Sequence, residues 1–306
     1  MARFIALASM LGPVMGLAAL SAFGGAAFAR DSAPVPDFSG QWARTSLGFE
    51  SPASGRGPIA NRMRRPAGGS NFSKLVGDYA DPLLKPEAAE TLRKRGEISL
   101  MNEAFPQPSN QCLPYPPPYI ASMNQEIELL QEKDRVTILN MFDHQVRHVR
   151  LNGRHPARLT PSWYGDSIGH YEGGTLVVDT VGIKPGPLPM VDIYGTPFSA
   201  ALHVIERFRL IDGKAALEAD LQSERDNQRV GGENGDGVDI DHAYQGKGLQ
   251  LQFTVEDPGV FTEPWTATVT YLRAAGDWAE MVCAENTREY YAGKDTAIPV
   301  AETPDF

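Results

Sequence analysis

Cysteine is almost missing from this sequence. Only Cys112 and Cys283 occur among 306 residues, so at most one disulfide can form within the chain. Positive charge is also short: 28 Lys and Arg stand against 38 Asp and Glu, for a formal net charge of −10. A phosphate backbone needs a concentrated basic surface, so no nucleic-acid partner is expected. Beyond the first residues there is no apolar run long enough to cross a bilayer, and no membrane span is expected. The phosphate loop and the dinucleotide fingerprint are both absent. Their absence sets aside kinases and dehydrogenases, and no cofactor is expected.

One apolar run does exist, at the start. Arg3 precedes a stretch over 4–20 broken only by Ser9, Gly12, Pro13 and Gly16, and Ala27-Phe28-Ala29 supplies the small-x-small pattern of a signal-peptidase site. The glycines and the proline make a poor spanning helix. A signal peptide over 1–29, cut after Ala29, is expected, and with it a periplasmic or secreted mature chain. What remains is long enough for one large core. An oxidising compartment lets Cys112 and Cys283 pair, which would stabilise the fold by roughly 2–4 kcal/mol. The alternative is two separate buried thiols.

From 30 to 118 the chain is rich in Pro, Gly, Ser and Arg and reads as an extension of coil lying on a core. It holds one short helix over 85–95, opened by Pro86 and Glu87 and stopped by Gly96. From 119 to 306 the pattern becomes alternation. Strands are expected at 135–142, 145–151, 174–181, 203–210, 215–221, 249–255, 265–271 and 278–284. Turn signals punctuate them at Asn152-Gly153, Asp212-Gly213, Asp257-Pro258-Gly259 and Gly276-Asp277. Residues 222–248 interrupt the rhythm and read as a long loop. The expected fold class is all-β: an antiparallel, calycin-like (lipocalin-like) β-barrel with an amino-terminal coil extension, because a long meander removes its edges by closing. A two-sheet sandwich is the competing arrangement.

The block Pro161-Ser162-Trp163-Tyr164-Gly165-Asp166-Ser167-Ile168-Gly169-His170-Tyr171-Glu172-Gly173 runs into Thr175-Leu176-Val177-Val178-Asp179-Thr180-Val181-Gly182. It resembles a large, mostly uncharacterised family of exported bacterial proteins. Further similar segments are Ala201-Leu202-His203-Val204-Ile205-Glu206-Arg207-Phe208, Glu256-Asp257-Pro258 with Pro264-Trp265-Thr266, and Val282-Cys283-Ala284-Glu285-Asn286. The resemblance covers 112–286 and implies a barrel and an exported location, with no settled reaction. Phe38-Ser39-Gly40-Gln41-Trp42 is similar to the Gly-x-Trp start of lipocalin-type barrels, where the tryptophan plugs one end. Two positions depart from the family pattern. Asp166 and Phe198 stand where His is common.

Alternation along 201–210 puts Leu202, Val204, Glu206, Phe208 and Leu210 on one apolar face, so Glu206 points inward. A buried carboxylate must be paired, neutralised or used. It is either an acid–base group or the partner of an arginine such as Arg147. None of the six histidines sits at a spacing that defines a metal site, and no metal is assigned, although His144 and His148 flank Val146 on one strand face. His170 and His203 are candidates for proton transfer. Trp163, Tyr164 and Asp166 lie among turn glycines and either face a cavity or form a structural corner. Asp192 and Tyr194 fall in a Pro-rich loop over 184–197 that could cover the same opening. The acidic stretch 233–241 lacks the regular ligands and closing Glu of a calcium loop.

The function these residues suggest is a cofactor-independent lyase, dehydratase or isomerase working in a barrel pocket. Its substrate would be a small aromatic or apolar hydroxylated compound, in sharper form a plant-derived phenylpropanoid. Glu206, His170 and His203 would be the acid–base groups. Trp163, Tyr164, Asp166, Arg147 and Tyr194 would hold the substrate. A binding protein for the same ligand and an envelope protein with a macromolecular partner are the competing readings.

Overall fold

The computed structural model describes residues 35–276 apart from 228–237 and 242. The expected signal peptide, the expected strand over 278–284 and Cys283 lie outside the described residues, as does most of the acidic stretch. Nine strands form one closed barrel in sequence order. They are β1 (Gly40–Ala43), β2 (Glu126–Gln131), β3 (Arg135–Asn140), β4 (Gln145–Leu151), β5 (Asp166–Glu172), β6 (Thr175–Val181), β7 (His203–Asp212), β8 (Lys247–Glu256) and β9 (Trp265–Arg273). The all-β barrel is thus the fold, and the sandwich is set aside. No described helix is long and apolar enough to cross a membrane.

Alternation explains the core. Leu176, Val178 and Thr180 of β6 face Phe208, Glu206 and Val204 of β7, which in turn face Leu251, Phe253 and Val255 of β8. All nine are buried. Each fully buried aliphatic or aromatic side chain contributes about 1.5–3 kcal/mol, and the ring of strands leaves no edge to pair with another chain.

Several expectations needed correction. The barrel does not begin at residue 119. β1 lies in the extension and pairs with both β2 and β9, closing the ring. Every neighbouring pair is antiparallel except β4 and β5, which run parallel with Val149 beside Ser167 and Leu151 beside Gly169. The expected strand over 215–221 is instead part of helix α2 (Gly213–Asp226). Asp212, expected in a turn, is its N-cap, with the carboxylate accepting from Lys214 N at 3.0 Å. Residues 222–226 continue that helix rather than opening a loop. Helix α1 (Pro86–Leu100) runs through Gly96, which was expected to stop it. Gly96 lies in the buried stripe with Ala88, Leu92 and Ser99, and a Cβ there would sit 3.0 Å from Val76 Cγ1. It is a glycine of close approach, not a cap.

Near the end of the barrel where β9 finishes, Trp42 is buried and its Nε1 donates to Phe38 O at 2.9 Å. The Arg273 guanidinium lies 5.1 Å from the Trp42 ring centre and donates to Ser39 O at 3.2 Å. Gln131 completes this end, accepting from Phe38 N at 2.5 Å and donating to Tyr171 OH at 2.9 Å. Further along the interior, Phe49 of the extension meets Phe253 edge-on at 5.0 Å.

Candidate functional site

The sequence candidates separate onto different faces of the wall. Inside, Arg147 from β4 and Glu206 from β7 form a fork of two hydrogen bonds, Nη1 to Oε2 at 2.5 Å and Nη2 to Oε1 at 2.8 Å. Their side chains are 9% and 5% exposed. Both oxygens of Glu206 are engaged by the guanidinium, so geometry favours the structural pair among the two roles open to this residue. Nearby, burial pushes the Tyr271 phenol up to about 12.

His170 and His203 lie on the outside of the barrel, away from Glu206. His170 is exposed, with Nε2 2.9 Å from Glu172 Oε1, and Arg207 Nη1 holds the other oxygen of Glu172 at 2.8 Å. The hydrogen bond from Arg207, then that from His170, keeps the Glu172 carboxyl below its ordinary value. This is a surface ion cluster. The three residues expected to share proton transfer therefore do not meet.

His203 sits in a different company. Its Nε2 is 2.9 Å from Asp179 Oδ1, and the same oxygen lies 3.2 Å from His155 Nε2. His155 Nδ1 is 2.6 Å from Asp166 Oδ2, and Arg150 grips Asp166 through two contacts at 2.7 and 2.9 Å. At the other end, His203 Nδ1 is 3.3 Å from Glu256 Oε2. Arg150, Asp166, His155, Asp179, His203 and Glu256 thus form one continuous series across β4 to β8. The hydrogen bond from Arg150, and after it the one from His155, holds the Asp166 carboxyl below its ordinary value despite partial burial. Each imidazole meets a carboxylate at both nitrogens, and a ring donates at both only when protonated.

Strand register builds this series. Asp179 points outward because Leu176, Val178 and Thr180 point in, and His203 stands directly opposite Glu256. Asp166 and His203 were legible as candidates. His155, Asp179 and Glu256 were not, although the outward position of Asp179 follows from the alternation of β6. Glu256 also lines a recess of about 240 Å3 whose other walls include Pro258, Phe261 and Pro264. The acid–base series therefore ends at a small hollow with an apolar side, Pro258, Phe261 and Pro264, and a polar one that includes Asp257, Thr262 and Glu263.

The remaining candidates are dispersed. Trp163 is half-buried under the Lys184 ammonium, 5.0 Å from the ring centre, and Tyr164 is half-buried beside it in sequence. Tyr194 is buried and stacked on Phe72 at 6.2 Å. Burial pushes its phenol well above the ordinary value. It lines the cavity of about 430 Å3 bounded by the extension, the 192–194 loop and the C-terminal half of α2. His148 faces outward with Nδ1 3.0 Å from Thr137 Oγ1. Among the described residues, no group of three or more His, Cys, Asp or Glu is arranged to hold a metal ion. Cys112 is disulfide-bonded, and its expected partner Cys283 lies outside the described residues.

These features define a closed β-barrel with a buried ion pair inside and an acid–base series on its outer wall. No family model matches the chain, and neither a curated protein nor a solved structure matches it.

Proposed function

We propose that the protein is an exported acid–base enzyme, a lyase, dehydratase or isomerase without a redox cofactor, acting on a small aromatic or apolar hydroxylated compound. The observation that carries this reading is the placement of Glu256 between His203 and the recess walled by Pro258, Phe261 and Pro264. The apolar side formed by Pro258, Phe261 and Pro264 suits a ring or short hydrocarbon body, and Glu256, which lines the recess with Asp257 and Glu263, is the carboxylate in contact with His203 and suits a proton. The leader-like residues 1–29 support export.

In a dehydration, the Glu256 carboxylate takes the proton from carbon while protonated His203 gives one to the departing hydroxyl. A C–H and a C–O bond break, a C=C bond forms and water leaves. The proton then passes from the Glu256 carboxyl back to His203 across their 3.3 Å contact, restoring both groups. Asp179 orients His203 from the other nitrogen, as a carboxylate does for an imidazole in many acid–base sites.

The test is product analysis by mass spectrometry on a panel of hydroxylated phenylpropanoids, with Glu256→Gln and His203→Gln beside the unaltered chain. Loss of turnover by about 10²–10⁴-fold is expected from each variant, with the melting temperature retained. Turnover unchanged in Glu256→Gln would sink the assignment, and an unaltered chain inert on the whole panel would sink the substrate class.

A further inference from the structure

The cavity of about 430 Å3 is remote in the sequence from the Glu256 recess and shares no lining residue with it. Its volume falls in the range of roughly 300–1,000 Å3 that holds one small organic molecule. Phe49, Ile59 and Tyr194 give it an apolar and aromatic side. Three carboxylates, Glu50, Asp192 and Asp226, and the single guanidinium of Arg64 also line it.

Each of those carboxylates is held by neutral donors. Glu50 accepts from Thr270 N at 2.7 Å and Thr270 Oγ1 at 2.9 Å. Asp192 Oδ1 accepts from Tyr194 N at 2.9 Å and Thr196 N at 3.0 Å. Asp226 Oδ2 accepts from Gln222 Nε2 at 2.8 Å. Two arginines act from further off, Arg44 on the half-buried Glu50 and Arg95 on the buried Asp192. They donate to backbone carbonyls rather than to these carboxylates: Arg44 to Gly48 O and Ala121 O, and Arg95 to Gly195 O. Burial pushes the Glu50 and Asp192 carboxyls above their ordinary values, so their negative charge is poorly compensated. A neutral hydroxyl would add a hydrogen bond here. An ammonium would add one and offset the charge as well, which in a desolvated site is the larger gain.

We propose that this cavity binds a small aromatic amine, with the ring against Phe49 and Ile59 and the ammonium toward Asp192. The site is separate from the acid–base series, and a protein without turnover would still carry it.

Calorimetry on the full chain with three probes of similar size tests the proposal: phenethylamine, phenethyl alcohol and phenylacetate. Phenethylamine should bind at least about tenfold more tightly than the alcohol, and phenylacetate more weakly than either. Asp192→Asn keeps the side-chain oxygen that the Tyr194 and Thr196 amides donate to. It should therefore weaken phenethylamine about tenfold and leave the alcohol unchanged. Ile59→Trp fills the cavity and should abolish binding of all three while the circular-dichroism spectrum is retained. The proposal is overturned if phenethylamine shows no binding at millimolar concentration, if the three probes bind alike, or if Asp192→Asn leaves the amine affinity unchanged.

Discussion

Replacing Glu206 by Gln takes one partner from a fork whose two contacts, at 2.5 and 2.8 Å, lie inside the barrel. The Arg147 guanidinium then stays where it is, 9% exposed and without its counter-charge. Breaking a buried pair from one side costs about 3–5 kcal/mol, because the remaining charge is desolvated without compensation. At about 2–4 °C per kcal/mol for a protein of this size, the melting midpoint should fall by roughly 6–20 °C. The double variant Arg147→Met/Glu206→Leu removes both charges, and its stability should return to that of the unaltered chain or exceed it by about 1–4 kcal/mol. Urea denaturation followed by circular dichroism measures both, and the single variants Arg147→Met and Glu206→Leu complete a cycle that isolates the coupling. If Glu206→Gln unfolds within about 1 kcal/mol of the unaltered chain and the double variant is the less stable of the two, the structural account of this pair is wrong.

Other expectations follow from the same contacts. Asp166 is held below its ordinary value, so its pairing with Arg150 and His155 stabilises the fold above the unfolded value and is lost as pH falls through the lower folded one. In Asp166→Asn, the acid side of a stability-against-pH curve should be flatter than in the unaltered chain. Asp192 has the opposite sign. Its burial penalty is absent below the ordinary carboxylate range and grows as pH rises through the raised folded value, so Asp192→Asn should be the more stable chain at neutral pH and lose that advantage in acid. Trp42→Ala should cost about 3–5 kcal/mol in denaturant unfolding, since it empties a buried site and removes the face under Arg273. Asp179→Asn should reduce turnover without moving the melting midpoint, because Asp179 is partly exposed and acts through His203.

Most of the barrel was legible because its strands alternate. β3 and β6 to β9 each have a mainly apolar face that a period of two reveals without any tertiary information, and β4 follows as the partner of β3 ahead of the Asn152-Gly153 turn. β5 was hidden by its glycines. Gly169 reads as a turn residue, yet it lies in mid-strand, where a Cβ would come within 2.7 Å of Val149 Cγ1. That crowding comes from the parallel pairing with β4, which local sequence does not encode. The segment read as a strand over 215–221 shows the reverse failure. Ala216, Asp220 and Ser223 are the buried residues of α2, a spacing of four and three that marks a helix, but two of the three are polar and the apolar period is faint. The inward Glu206 and its Arg147 partner were both within reach of alternation. The outer-wall series was legible only at Asp166 and His203, because it depends on which outward residues of five strands fall side by side, and on His155 reaching them from a loop.

The closure of the barrel is unequal around its circumference. β7 and β8 share ten residue pairs, whereas β1 and β9 share two, Trp42 with Arg273 and Ala43 with Leu272, and the segment after β1 adds an isolated bridge between Glu50 and Thr268. The seam joins residues far apart in sequence, so it carries the greatest loop-closure entropy and the fewest ladder bonds to offset it. It is the place where the wall unzips first. A barrel opened there presents two free strand edges, and each edge is complementary to the opposite edge of another opened copy. Exchange of β1 between copies is then the natural failure of this fold under partial denaturation, and the cluster of Trp42, Arg273 and Gln131 is the clasp that delays it.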